Sequence, residues 1–322
     1  MRPTQYLAKS NNNDMYQLIE KRASVLHRIR EYFDQQGVFE VEVPLLGSSS
    51  VTDPHLSAIS AQCQNRNFFL QTSPEYFMKR LLAEGSGDIY YLGKAFRNDE
   101  HGRLHNPEFT MLEWYRTEMN DVELMDDLGA LLHHLAPLQV DLQIDHFSYG
   151  DIFEKYVGLN PHQASTEELA AAAKQQLDVQ FSDEPKSTWL DLLFSHLVEK
   201  HLKNPTFVVD YPECQSALAR LQSAGDYNVA KRFELFWHGL ELANGYWELT
   251  DVNVQRQRFM QDNKTREAMG LPQISLDENF LAALEKGLPE CAGVALGVDR
   301  LMMCLFNEND INDVMPFSFA KL

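Results

Sequence analysis

Leu18, Val25, Leu26, Ile29, Tyr32 and Phe33 recur at helical spacing, so the chain from Tyr16 to Gln36 is predicted to form an amphipathic helix stopped by Gly37. The period then falls to two. Phe39, Val41 and Val43 alternate with Glu40 and Glu42 until Pro44, as in a strand that finishes at an edge or interface. Ser73-Pro-Glu75 opens a second helix running to about Ala83, with Ser73 as cap, Pro74 in first position and Gly85 just beyond the end. Val122, Met125, Leu128, Leu132 and Leu135 mark a third, closed by Pro137. From about 148 to 230, the capping box Ser165-Thr-Glu-Glu168 opens one helix, Trp189, Leu193, Leu197 and Leu202 outline another, and Thr206–Asp210 reads as a short strand. No Gly/Ser/Pro linker isolates this stretch, so it is predicted to be a helical insertion within one domain spanning 15–322, preceded by a flexible polar arm at 1–14.

Two segments combine strand periodicity with chemistry. In the run ending at Tyr115, Phe109, Met111, Glu113 and Tyr115 share one face of an extended backbone, and Thr110, Leu112, Trp114 and Arg116 share the other. Upstream, Arg97 and Asp99 share a parity, so a hairpin would set a guanidinium and a carboxylate beside the ring, acid and phenol. Such a face offers partners to a planar base, a phosphate and a cationic substrate. Alternation alone favours an ordinary half-buried hairpin whose polar residues face water.

Phe233 to Leu249 reads as a second hairpin. With His238-Gly239 as its turn, Phe236 faces Glu241 and Trp237 faces Leu240, which brings Glu234 and Glu241 out diagonally on one face. Two carboxylates so placed suit Mg²⁺ held partly by protein and partly by substrate phosphates, or else form a solvated edge pair. Asn244, Tyr246 and Glu248 have the opposite parity, so an irregularity is required, and Ala243-Asn244-Gly245 is where a bulge is expected.

Charge and cysteine content narrow the class. A net charge of −19 disfavours broad contact with phosphate backbones. Cys63, Cys214, Cys291 and Cys304 are too far apart for a CxxC motif and too few for a disulfide scaffold, so they are expected to be reduced thiols of a cytoplasmic protein. The first residues lack the apolar core of a signal peptide, and no apolar run is long enough to span a membrane, so no membrane association is expected.

Read as a whole, Phe96-Arg-Asn-Asp-Glu100 followed by His105-Asn-Pro-Glu-Phe-Thr-Met-Leu-Glu-Trp-Tyr115 closely resembles motif 2 of the class II aminoacyl-tRNA synthetases, in its lysine-specific form. The helix–Gly–strand–Pro pattern resembles motif 1, which in that family builds a homodimer interface. Gly293-Val-Ala-Leu-Gly-Val-Asp-Arg300 resembles motif 3, and Glu241-x-x-Asn-Gly-Tyr-x-Glu-Leu249 resembles the lysyl-synthetase segment shared by ATP, metal and amino acid. The resemblance runs from about Tyr16 to the C-terminus. It implies an α+β fold: a class II synthetase catalytic core, mostly antiparallel sheet flanked by helices. The anticodon-binding domain of lysyl-tRNA synthetases is absent, which looks like the bacterial family of truncated paralogues that modify elongation factor P.

That resemblance implies the following roles. Arg97 would hold the ATP α-phosphate, Asn98 and Asp99 would sit at the nucleotide with Asp99 toward the adenine amine, and Phe109 would stack on the base. His105 and Asn106 would lie by the triphosphate, Glu234 and Glu241 on Mg²⁺, Leu242 against the nucleotide, and Gly297 and Arg300 across from them. Ser73, Pro74, Glu75, Tyr115 and Glu248 would surround lysine or (R)-β-lysine, assisted by Glu113, Asn244 and Tyr246. Two positions depart from the lysyl pattern: Asp99 stands where Glu is usual, and Ala295 where lysyl enzymes carry Gly. The added methyl of Ala295 is expected to reshape the amino-acid pocket toward a displaced amine. Arg97 and Arg300 are the expected catalytic residues of an AMP-forming ligase that takes elongation factor P as protein substrate, without stable tRNA binding. A stand-alone core charging tRNA and a non-catalytic binding protein are the other functions these motifs allow.

Overall fold

A computed structural model describes residues 14–98, 101–136, 142–177, 179–181 and 184–322. Asp99, Pro137 and the arm at 1–13 therefore lie outside the described residues. The chain begins with α1 (Asp14–Gln35), ended by Gly37 at φ 70°, then a short β1 (Phe39–Glu40). A small antiparallel sheet of β2 (Leu46–Gly47), β3 (Ser60–Cys63) and β4 (Arg66–Leu70) precedes α2 (Glu75–Ala83). The first site hairpin is β5 (Ile89–Phe96) and β6 (Glu108–Thr117), followed by α3 (Asp121–Leu135). Next come β7 (Asp145–Ser148), α4 (Tyr149–Val157), α5 (Thr166–Gln176), α6 (Lys186–Leu193), β8 (Thr206–Pro212) and β9 (Leu221–Ser223). The second hairpin is β10 (Asn228–Trp237) and β11 (Leu240–Trp247), and the chain closes through α7 (Val252–Ala268), α8 (Glu278–Gly287), β12 (Cys291–Gly297) and α9 (Val298–Phe306).

The main sheet runs β1-β5-β6-β12-β11-β10-β8-β7, with β9 on β10. Its pairs are antiparallel except at the two ends, where β1 joins β5 and β7 joins β8 in parallel. This is the expected α+β architecture. One face packs against α1, α3 and α9 in a core containing Phe33, Trp114, Leu128, Phe233, Val294 and Met302. The other face carries two separate cores. Tyr149, Trp189, Phe194 and Phe236 fill one under the 148–230 stretch, and Met78, Tyr91, Tyr115 and Phe280 fill the other under α2 and α8.

Several sequence expectations need correction. The strand after Gly37 is shorter than expected: Phe39 and Glu40 pair with β5 at the sheet edge, and a last bond runs from Val41 N–H to Tyr90 O (2.8 Å). Pro74, not Ser73, takes the cap position of α2. Val122 is 54% exposed, and Leu124 and Leu131 hold the core in its place, while Asn120 supplies a capping box that the apolar pattern does not reveal. The capping box at Ser165 stands as expected. The helix through Trp189 stops at Leu193 and continues as a π-turn (Phe194–Val198) and a 3-10 turn (Glu199–His201).

Candidate active site

The second hairpin adopts the register read from its residues. Tyr91 pairs with Glu113 and Gly93 with Met111 across the first. In the second, His238 and Gly239 both have positive φ, the requirement of a tight two-residue hairpin turn, and Phe236 pairs with Glu241 and Trp237 with Leu240. The bulge exists, but it lies earlier than expected. Leu235 pairs with Ala243 while Phe236 pairs with Glu241, so Leu242 is the extra residue. Leu242 and Ala243 both enter the core beneath the sheet, and that is how the parity changes between Glu241 and Asn244. Gly245 has another reason to be glycine: an added Cβ would come within 2.3 Å of the Phe233 ring.

With that register, predicted site residues fall into rows across the sheet. Glu113 pairs with Ala295, Ala295 with Asn244, and Asn244 with Glu234. The adjacent row is Tyr115, Gly293, Tyr246 and Arg232. At about 4.8 Å per strand, Glu113 and Glu234 stand roughly 14 Å apart at opposite ends of one row. The methyl of Ala295 lies on that same face, between Glu113 and Asn244.

One end of the face is an acidic pocket. Ser73 Oγ accepts from the Glu75 N–H (3.1 Å) and donates to Glu113 Oε2 (2.7 Å), and Tyr115 Oη donates to Glu113 Oε1 (2.8 Å). Lys79, one turn after Glu75, places Nζ 2.5 Å from Glu75 and 2.6 Å from Glu248. Glu113 and Glu248 are 2% and 0% exposed. Burial pushes both carboxyls up to about 8; the Glu75 charge adds to this, while the Lys79 ammonium opposes it. Pro74 is buried beneath, at the start of α2.

The other end gathers the arginines. The Arg97 guanidinium lies over the Phe109 ring, 5.2 Å from its centroid, and its backbone N–H extends the hairpin ladder to Pro107 O (2.9 Å). Asn98 N–H donates to Ser57 O (2.8 Å). Arg300, in the first turn of α9, donates to Glu241 O (2.9 Å) and Leu104 O (3.2 Å) and reaches His105 Nε2 at 2.5 Å. The third motif is thereby tied to the loop of the second. Glu241 is pushed up to about 7 by burial and by the Glu234 charge, against the opposing fields of Arg300, Arg232 and Arg97. Glu234 accepts from Tyr211 Oη (2.7 Å) and pairs with Arg232. Asn106 is buried: its amide donates to Glu108 O (2.6 Å) and accepts from Phe319 N–H (2.8 Å), so it fastens the loop to the C-terminal turn. Leu242 is in the core, with its backbone alone near the face. An added Cβ at Gly297 would approach Leu242 O no closer than 3.9 Å, so protein packing does not require this glycine.

Sequence reasoning missed four participants. Lys79 was legible from its i, i+4 spacing to Glu75, and Arg232 from its shared strand parity with Glu234. Gly293 is required because a Cβ there would lie 2.3 Å from the Tyr115 ring and 2.6 Å from Glu248 Oε1; only the tertiary register reveals that. Glu199, on the 3-10 turn, is pushed up to about 8 by burial and by the charges of Glu241 and Glu234, and nothing local in the sequence signals it.

One face of the sheet thus carries a pocket of buried acids and, further along the same strands, Arg97 and Arg300. The chain belongs to the class II tRNA synthetase family: the profile described as tRNA synthetases class II (D, K and N) matches residues 1–321. Among curated relatives, it is 46% identical over 313 residues to the elongation factor P–(R)-beta-lysine ligase of Haemophilus ducreyi, covering 95% of this chain and 94% of that one. It is similarly 45% identical over 304 residues to the ligase of that name from Mannheimia succiniciproducens (92% and 93% covered). The relative of that name from Proteus mirabilis is 46% identical over 307 residues (92% and 93% covered). No described helix is long and apolar enough to cross a membrane, and all four cysteines are free.

Proposed function

We propose that this protein is an ATP-dependent ligase that adenylates (R)-β-lysine or lysine and transfers it to a lysine side chain of elongation factor P. The single observation that carries this reading is the shared face: Glu75, Glu113 and Glu248 surround one pocket, and Arg97, Arg300 and Glu241 lie further along the same strands. The names of the relatives supply the acceptor protein.

The amino-acid carboxylate attacks the ATP α-phosphate in line, the bond to the β,γ-diphosphate breaks, and pyrophosphate leaves. No general base is required, since a carboxylate is already ionised at neutral pH. Arg97 stabilises charge at the α-phosphate, Phe109 stacks on the base, and Arg300 holds phosphate from the opposite side, so catalysis is positioning and electrostatics. Glu75, Glu113, Tyr115 and Glu248 orient the amines. Glu234 and Glu241 fit a magnesium ion in donor chemistry: both are hard oxygen donors, and buried Glu241 lacks enough positive charge to ionise freely. Among the described residues no group of three or more His, Cys, Asp or Glu could hold a metal by itself, so substrate phosphates would complete its shell. When bound, the ion supplies Lewis-acid charge to those phosphates. In the second half-reaction the acceptor amine, having lost its ammonium proton, attacks the carbonyl of the mixed anhydride; the acyl–phosphate bond breaks, AMP leaves, and the nitrogen's extra proton is released as the amide forms.

One catalytic domain includes the 148–230 stretch in this reading, supported by β8, which pairs with β10 inside the main sheet. A homodimer through α1 and β1 fits the exposure of Phe39 (70%) on β1 and of Tyr16 and Ile19 on α1. The net charge of −19 supports a protein rather than a tRNA acceptor, and a cytoplasmic location follows from that acceptor. The test is to incubate the protein with ATP, Mg²⁺, each lysine isomer and elongation factor P, and to weigh the product. A mass gain on one lysine of the factor is expected; charging of tRNA with no transfer to protein would overturn the assignment.

A further inference from the structure

Lys79 is buried in the acidic pocket with 2% of its side chain exposed, and its ammonium bridges Glu75 and Glu248. Burying a lysine is costly unless its charge is matched. Here it is matched twice, since both neighbouring carboxylates hold the amine in its charged form despite desolvation. The charged and titratable groups around it come from every strand and helix that meets there. Glu75 lies on its own helix, Tyr91 comes from β5 beside Glu113, Glu113 and Tyr115 from β6, Tyr246 and Glu248 from β11 and its end, and Cys291 from β12. Arg220 stands behind Glu248, where it donates to the Glu248 backbone carbonyl and favours the ionised carboxylate, and its own charge is balanced by Glu290 (2.8 Å) outside the pocket. From α8 the contacts are apolar, through Phe280, Leu281 and Leu284.

Glu75, Glu113 and Glu248 bring three negative charges when ionised, and Lys79 brings one positive. Glu248 Oε1, fully buried, has no hydrogen-bond partner among the described residues and faces the bare backbone of Gly293. An unpartnered buried carboxylate oxygen at this spot is an acceptor kept for a ligand donor.

We propose that Lys79 is a positioning residue that acts as a built-in counter-cation, setting the pocket at two net negative charges so that it is matched to an amino acid carrying two ammonium groups. The proposal rests on the reading of this site as an amino-acid pocket and adds what fixes its charge. One substrate ammonium and Lys79 leave one acid unmatched; two ammoniums and Lys79 match all three. Lys79 also holds Glu75 and Glu248 in register by a direct contact to each, so the acids face the substrate in a fixed geometry instead of repelling one another.

The consequence is a pH signature. A dication binds the ionised acids, so affinity rises with pH until Glu113 and Glu248 have lost their protons, at about 8. Replacing the ammonium by an uncharged group pushes these acids further up, by about 1–3 pH units for loss of an adjacent opposite charge. Each unit corresponds to roughly tenfold weaker binding at a fixed pH on the rising limb.

The experiment measures ATP–pyrophosphate exchange against lysine and β-lysine concentration from pH 6 to 9 for the wild type, Lys79→Met and Lys79→Arg. The expected result is a rise in KM of tenfold or more for Lys79→Met at pH 7, with the rising limb displaced by a unit or more, a far smaller change in kcat, and return of the wild-type limb in Lys79→Arg. A Lys79→Met profile superimposable on that of the wild type overturns the proposal. If Lys79→Met does not fold, Lys79→Arg carries the test alone: its limb stays in place if charge is what matters, and a displacement of a unit or more overturns the proposal. Absence of exchange by the wild type with both isomers defeats the amino-acid reading itself, a result distinct from either.

Discussion

Glycine 293 should be the position on β12 least tolerant of one added methyl group. Its ideal Cβ would lie 2.3 Å from Tyr115 Cε1, 2.5 Å from Tyr115 Cδ1 and 2.6 Å from Glu248 Oε1, all distances that real contacts do not reach. Neither neighbour can swing away cheaply. Tyr115 is 2% exposed and hydrogen-bonded to Glu113, and Glu248 is fully buried and paired with Lys79. Overpacking of this kind costs about 1–3 kcal/mol. Alanine restricts the unfolded chain more than glycine does, which offsets about 0.4–1 kcal/mol. With two immobile groups within 2.6 Å the strain lies toward the upper end of its range, leaving Gly293→Ala less stable by up to about 2.6 kcal/mol. Because the displaced groups are those proposed to hold the amines, the lysine KM should rise on the order of tenfold, at about 1.4 kcal/mol per decade. Denaturant unfolding reads the first effect and pyrophosphate exchange the second. A Gly293→Ala protein of reduced stability with the wild-type lysine KM would show that this pocket is packed core and not the amine site.

Gly297→Ala provides the opposite case: the nearest protein atom to its Cβ would be 3.9 Å away, so stability should change little while the KM for ATP rises and that for lysine does not, as titration of each substrate would show. Asp299 is 2% exposed and joins Arg22 (2.7 Å) to the backbone N–H of Thr110 (2.7 Å); Asp299→Ala strands both partners and should lower stability by about 3–5 kcal/mol, read by denaturant unfolding. Glu113 is held up at about 8, above an ordinary glutamate, so between about 4.5 and 8 the unfolded chain gives up this proton first and stability falls as pH rises, by at most about 1.4 kcal/mol per unit. Glu113→Gln should remove that slope, and equal slopes for the two proteins in unfolding titrations would refute the assignment.

Much of this site was legible because strand parity is a strict rule. Once His238-Gly239 was read as the turn, the pairing of Phe236 with Glu241 followed, and with it the meeting of Glu234 and Glu241 on one face. The same rule demanded an irregularity before Asn244. Glycine usually marks a bulge, yet here Gly245 makes room for Phe233 and the extra residue is the apolar Leu242. Val122 failed for a related reason: helical periodicity names a face but not the element that covers it. The unwinding after Leu193, the fastening of Asn106 to Phe319 and the approach of Glu199 to the metal-type acids depend on contacts between distant segments. No local pattern encodes those.

Burial also decides between the two readings that alternation allowed for the first hairpin. A half-buried hairpin would turn Glu113 and Tyr115 toward water, yet both are 2% exposed and the opposite face of the strand is core as well. An acid in that position costs free energy unless something compensates. Ser73 and Tyr115 offset part of it at Glu113, and Lys79 part of it at Glu248, but burial still pushes both carboxyls up to about 8. A fold that needed only stability would place apolar groups here, as it does along the neighbouring row of Leu112, Leu296 and Ala243 on the other face. Retaining three incompletely matched acids between two apolar cores therefore argues for a cationic ligand: its ammonium groups restore the missing charge, and a neutral amino acid of the same shape would leave it missing.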